Sequence, residues 1–207
     1  MNSLAKKVCF TFDDGPNGEY TLQILDILER YKKKALFFFP AKNVERQPDI
    51  ALSVQAQGHL IGNHTYDHPH LNTLNKEDVL SQIERSEEIF LSVLGIKPEY
   101  FRPPYGEYNQ TVEYVIKEKG YQLVLWDMAC YAMDWESPPP VEAIVDIIIN
   151  RASDGSIILL HDGRNTSIGA PRDNTVSALK DVMPLLEENG FEAVTIDRLY
   201  KNPKPLL

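Results

Sequence analysis

Strand-like and helix-like stretches alternate along almost the whole of this 207-residue chain, and no other property of the sequence restricts its fold as strongly. Short, largely apolar runs occupy 8–12, 35–39, 59–63, 100–102, 121–126, 156–160 and 192–196. Most are bounded by turn formers, as buried strands are. Between them, apolar residues recur at helical spacing. The first set is Leu22, Ile24, Leu25, Leu28 and Tyr31, and a second segment over 48–57 closes at Gly58. Val79, Ile83, Phe90 and Val93 follow a capping Asn75 and precede Gly95. Val112, Val115 and Ile116 come next, then Val141, Ile144, Val145 and Ile148 behind Ser137-Pro138-Pro139-Pro140. Val176, Leu179, Val182, Met183 and Leu186 form the last helix, where Pro184 predicts a kink or an early break. Such alternation calls for an α/β fold, a parallel sheet covered by helices. No G-x-G-x-x-G or Walker loop follows any strand, so a nucleotide-binding open sheet loses support. Seven units fall short of the eight in a full barrel of about 250 residues. The reading is an incomplete (β/α) barrel with about seven parallel strands, residues 1–207 forming a single domain.

A net charge of -9, from 21 Lys and Arg against 30 Asp and Glu, argues against nucleic acid as a partner and favours a neutral substrate. Hydrophobic content of 43% is that of an ordinary globular protein. Cys9 and Cys130 belong to no C-x-x-C pair and read as buried structural thiols. The opening MNSLAKKVCF lacks the apolar core of a secretory signal, and no run reaches membrane-spanning length. That places the chain as written in the cytoplasm, or outside it where a leader has been removed. No protein partner is evident from the sequence.

Chemically capable residues fall where strands end. Asp13 and Asp14 follow the first strand, His64 and His68 the third, Arg102 the fourth, Asp127 the fifth, and His161 with Asp162 the sixth. The carboxyl ends of parallel strands form the active face of such folds, so these residues should converge. Asp-Gly and Gly-Pro alone are ordinary turn chemistry. Two adjacent carboxylates at the mouth of a buried strand nevertheless repel each other unless a cation or a shared proton intervenes. His64-x-x-x-His68 brings two imidazoles within reach of one ion. Two histidines with one carboxylate leave positions open for water and substrate, the pattern of a catalytic site. Zinc fits best on ligand type, with cobalt, manganese, nickel and iron(II) as alternatives. One aspartate completes the ligands and the other is free to act as a base, with Arg102 as its partner. His161 supplies the proton that the departing nitrogen of an amide needs. His59 and His70 read as structural, one in a strand and one in a turn. No G-x-S-x-G elbow supports a serine nucleophile.

With their neighbours, these residues resemble the NodB-homology polysaccharide deacetylases, carbohydrate esterase family 4. Five segments in order carry the resemblance over nearly the whole chain. They are Thr11-Phe12-Asp13-Asp14-Gly15-Pro16, His64-Thr65-Tyr66-Asp67-His68-Pro69, Arg102-Pro103-Pro104-Tyr105-Gly106, Asp134-Trp135 and Leu159-Leu160-His161. The resemblance implies a distorted barrel that removes acetyl groups from glycans with one divalent metal ion. It implies Asp14, His64 and His68 as metal ligands, Asp13 as general base and His161 as the acid for the leaving amine. The backbone N–H of Tyr105 would stabilise the oxyanion, and Trp135 and Leu159 would shape the pocket for the acetyl methyl group. The fourth segment departs from the family pattern: Tyr131 stands where an aspartate is usual, in a longer stretch. Asp134 is the acid expected to orient His161, with Asp127 second. The implied activity is N-deacetylation of N-acetylglucosamine-containing glycans, of chitooligosaccharide or peptidoglycan type. O-deacetylation of acetylated xylan is the alternative. A non-catalytic glycan-binding module would be expected to have lost the base or a ligand, and an iron oxygenase leaves Asp13 and His161 without roles.

Overall fold

The computed structural model describes residues 5–135 and 139–200. Its strands are β1 (Lys6–Asp13), β2 (Leu36–Phe39), β3 (Leu60–Asn63), β4 (Tyr100–Phe101), β5 (Gln122–Leu123), β6 (Ser156–His161) and β7 (Phe191–Ala193). They lie parallel in the order β5-β4-β3-β2-β1-β6, and β7 pairs the first residues of β1. The helices are α1 (Gly18–Arg30), α2 (Ala41–Arg46), α3 (Pro48–Ala56), α4 (Lys76–Leu94), α5 (Gln110–Glu118), α6 (Val141–Arg151), α7 (Asp173–Glu188) and α8 (Ile196–Leu199). This is the incomplete (β/α) barrel that the alternation predicts.

Strand alternation divides the core and aims the site. Phe10 and Phe12 of β1, with Phe37 and Phe39 of β2, pack outward against Ile24, Leu25 and Leu28 of α1 and Val176, Leu179 and Val182 of α7. Cys9, Leu36, Phe38 and Ile157 form a separate cluster on the other side, with Tyr100 and Val124. Thr11 and Asp13 share that inner side with Cys9, so β1 delivers its terminal carboxylate into the barrel mouth. Both thiols are buried and unpaired with each other, and burial pushes Cys9 up to about 12, so neither is a nucleophile. No helix among the described residues is long and apolar enough to cross a membrane.

Asn75 and Gly95 bracket α4 as expected, Asn75 accepting from the Asp78 N–H and Gly95 closing the helix at φ 67°, and Asn109 caps α5 by accepting from the Val112 N–H. Four expectations need correction. The short helix α2 has no counterpart in the periodicity, being only six residues long. The strand expected over 121–126 is ordered as such only at Gln122–Leu123. Beyond it the carbonyls of Val124 and Leu125 accept from the Arg102 guanidinium instead of a neighbouring strand. The run 192–196 ends as a strand at Ala193 and enters α8. Pro184 does not break α7, which continues to Glu188. The Pro-rich opening of α6 lies partly outside the described residues.

Candidate active site

The residues at the carboxyl ends of β1, β3, β4 and β6 meet in one buried cluster. Asp13 stands level with Phe38 of β2 and with His161 of β6 in the parallel registers. Around it, Asp14, Thr65, His68 and Tyr105 all adopt left-handed backbone, at φ 76°, 68°, 65° and 61°. For residues with a side chain this conformation costs on the order of 1–3 kcal/mol each, and it concentrates where surrounding structure imposes it. Gly163 shows the crowding: a methyl group there would overlap the Asp14 backbone carbonyl.

Asp14, His64 and His68 each point one ligand atom at a common centre, and these atoms lie within 4.8 Å of one another. The His64 Nδ1–H donates to the Arg102 carbonyl at 2.7 Å, and because a carbonyl only accepts, the lone pair sits on Nε2. That lone pair faces Asp14 Oδ1 at 3.7 Å and Asp13 Oδ2 at 3.8 Å. His68 Nε2 lies 3.2 Å from the same Asp14 oxygen, which is buried and accepts no hydrogen bond. Burial pushes both imidazoles down to about 4, overriding the nearby carboxylates, so both are neutral at physiological pH. The His64 lone pair, the His68 Nε2 and the Asp14 carboxylate oxygen thus lie together, a set that a cation would hold in place. Two nitrogens and one oxygen in this arrangement suit a divalent ion of the zinc type.

Asp13 is held apart from that set. Its Oδ1 accepts from Arg102 Nη1 at 2.7 Å, leaving Oδ2 toward the cluster. Arg102 is wholly buried and donates also to Thr11 Oγ1 and to the carbonyls of Val124 and Leu125. The Arg102–Asp13 contact is single rather than forked, since the other nitrogens serve the barrel wall.

On the opposite side, His161 Nδ1 lies 2.7 Å from Asp134 Oδ1. The second Asp134 oxygen accepts from the His161 backbone N–H and from Thr175 Oγ1. Asp134, and not Asp127, is thus the acid on His161. Asp127 accepts from the Ala129 N–H and from Ser156 Oγ, a structural use. Leu159, buried two residues before His161 on β6, shares its inward face. Trp135 and Tyr105 are partly exposed at the rim, the former donating its indole N–H to the Tyr131 hydroxyl at 2.6 Å. His59 stays in the core, where its Nδ1 accepts from the Ala35 N–H.

The family model for polysaccharide deacetylase matches residues 2–124. The chain belongs to this family. A peptidoglycan-N-acetylglucosamine deacetylase of Bacillus cereus is 39% identical, the match covering 95% of this chain and 89% of the relative. A chitooligosaccharide deacetylase of Rhizobium leguminosarum bv. trifolii is 36% identical, over 90% of this chain and 88% of the relative. Among solved structures, the Xyl-CE4 domain of a multidomain xylanase from the hindgut metagenome of Trinervitermes trinervoides superposes with a TM-score of 0.86. It is 30% identical and the match covers 98% of this chain and 94% of that one.

Polysaccharide deacetylases are hydrolases, and the His161–Asp134 pair makes a pH prediction for this member. Burial alone would lower the His161 pKa, but the Asp134 charge and hydrogen bonds, with Asp14 and Asp13 behind them, raise it above the ordinary value. Burial likewise opposes ionisation of Asp134, and His161 outweighs it. A group whose pKa is raised keeps its proton to higher pH than an ordinary imidazole and loses it as pH climbs through that value. Asp134→Asn removes the largest raising cause. The alkaline limb of kcat/KM should then move to lower pH. A limb that stays in place would separate Asp134 from the titration.

Several supporting residues carried no motif signal. Asn43 of α2 donates to the Asp14 carbonyl at 2.8 Å and to the Asn165 carbonyl at 2.9 Å. Asn17 ties the Asp162 and Ala170 carbonyls, and Thr21 donates to Asp162 Oδ2 at 2.6 Å. Burial pushes Asp162 up to about 7, with the Asp14 and Asp13 charges adding to it and the Thr21 hydrogen bond opposing. An asparagine just after a Gly-Pro turn was the one visible hint, since Thr21 and Asn43 sit in helices like any polar residue.

Proposed function

We propose that this chain is one catalytic domain of a metal-dependent glycan deacetylase that hydrolyses N-acetyl groups of N-acetylglucosamine units, in glycans of peptidoglycan or chitooligosaccharide type. The observation that carries this reading is the separation of duties between adjacent carboxylates, Asp14 facing two neutral imidazoles and Asp13 tied to Arg102. The names of the Bacillus cereus and Rhizobium leguminosarum relatives support the substrate class.

Asp14, His64 and His68 would hold the ion, with zinc favoured by the ligand types and cobalt, manganese, nickel and iron(II) as alternatives. When bound, such an ion polarises an acetyl carbonyl and makes a water molecule acidic near neutral pH. Asp13 takes a proton from the attacking water at Oδ2, the oxygen that Arg102 leaves open. The Tyr105 backbone N–H stabilises the charge that develops on the carbonyl oxygen. His161, anchored through Nδ1, delivers the Nε2 proton to the departing nitrogen, so that acetate and a free amine leave. Trp135 and Leu159 receive the acetyl methyl group.

A second reading, O-deacetylation of acetylated xylan, draws on the structural relative from a xylanase. One experiment addresses both. Acetate release is followed by mass spectrometry on chitooligosaccharides, peptidoglycan fragments and acetylxylan, before and after dialysis against a chelator. The expected result is release from the amide substrates, abolished by chelation and restored by zinc or cobalt. Release indifferent to chelation would sink the metal mechanism, and release from acetylxylan alone would favour the second reading.

A further inference from the structure

His70 follows the second proposed metal ligand by two residues and is not among the ligand atoms that converge. Its ring lies flat on Tyr105, with centroids 3.8 Å apart and planes 5° from parallel. We propose that His70 is a positioning residue, whose ring clasps Tyr105 and so holds the backbone of the Pro104–Gly106 turn beside the metal site. This rests on the deacetylase reading above, in which the Tyr105 N–H meets the developing oxyanion.

The turn needs an external hold. Tyr105 is left-handed at φ 61° and Gly106 follows at φ 69°. For Tyr105, though not for a glycine, such backbone is strained and persists only where its surroundings impose it, the Gly106 N–H bond to the Pro103 carbonyl at 3.0 Å being one hold. Burial does not do so, because Tyr105 is 44% exposed. What surrounds the ring is a pair of oriented contacts from another segment. His70 covers one face, and the edge-on ring of His68 lies at 4.7 Å. Glu107, two residues beyond Tyr105, accepts from His70 Nδ1 at 3.2 Å, so one turn grips the imidazole twice. Both members of that contact are about half exposed, and a solvent-exposed polar contact contributes little on its own. The stacked faces exclude water from each other and form the stronger hold. Oxyanion donors act by being aimed before the charge appears, so a loosened turn costs turnover more than binding.

The test compares His70→Ala, His70→Phe and Glu107→Gln. We expect His70→Ala to lower kcat about tenfold, with KM and bound zinc unchanged, and to speed hydrogen exchange at the Gly106 amide, which donates to the Pro103 carbonyl at 3.0 Å, in the zinc-free and zinc-loaded protein alike. His70→Phe keeps an aromatic face and should restore both kcat and slow exchange, and Glu107→Gln should leave both as they are. The clasp is overturned if His70→Ala changes neither quantity, if it releases zinc, if His70→Phe behaves like His70→Ala, or if Glu107→Gln reproduces the loss. If wild-type protein releases no acetate from any glycan, the deacetylase reading fails, while amide exchange still decides the clasp.

Discussion

Asp14→Asn should strip the metal from the protein, whereas Asp13→Asn should keep it and lose about 10²–10⁴ in turnover. The two residues are neighbours in sequence and both are almost wholly buried, so burial alone does not distinguish them. Their partners do. Asp14 Oδ1 lies 3.2 Å from one imidazole nitrogen and 3.7 Å from another, and an amide there offers neither the charge nor the donor strength that a divalent ion requires. Asp13 already gives one oxygen to Arg102 at 2.7 Å, a contact that an asparagine carbonyl can still accept. The Asp13→Asn variant therefore keeps the local structure and lacks only a basic oxygen. Metal content after dialysis, measured by atomic emission beside acetate turnover, separates the cases. Equal metal loss in both variants would end the assignment of base and ligand.

Arg102→Leu carries the largest expected loss of stability. The guanidinium is completely buried and satisfies four acceptors from two parts of the chain: Thr11 and Asp13 of β1, and the Val124–Leu125 segment. Removing it leaves a buried carboxylate without its cation, a change that typically costs about 3–5 kcal/mol. For a domain of this size the corresponding drop in melting temperature is roughly 10 °C. Arg102→Lys should fall between the two, since an ammonium keeps the charge but does not span all four acceptors. Thermal melts of metal-free protein measure this directly. A melting temperature for Arg102→Leu within about 2 °C of wild type would show that the barrel wall does not depend on the guanidinium.

Most of the barrel was legible because its signals are local. Each long helix has an apolar period and several have a cap, as Asn75 and Gly95 bracket α4, and strands buried on both faces read as continuous apolar runs. What escaped depends on distant partners. The run 121–126 is as strand-like as any, yet its carbonyls go to an arginine about twenty residues earlier, and only the folded structure shows that. The convergence of Asp13, Asp14, His64, His68, Arg102 and His161 followed from strand ends alone. The preference for Asp134 over Asp127 came from the family resemblance and not from strand ends, and the position of β6 agrees with it, since Asp134 is the one that reaches His161. His70 was invisible: in sequence it is a turn histidine, and its partner ring arrives from another loop.

The register between β1 and β6 has a further consequence, in evolutionary terms. Asp13 and His161 are directly opposed on adjacent strands, so the spacing of the proposed base and acid is an inter-strand distance of about 4.8 Å between backbones, fixed by the hydrogen-bond ladder. The residues that would touch a glycan, Tyr105 and Trp135, come instead from loops. Loops can diverge without disturbing a spacing they do not set. One sheet can thereby keep the same spacing in relatives whose names are as different as peptidoglycan deacetylase, chitooligosaccharide deacetylase and the CE4 domain of a multidomain xylanase.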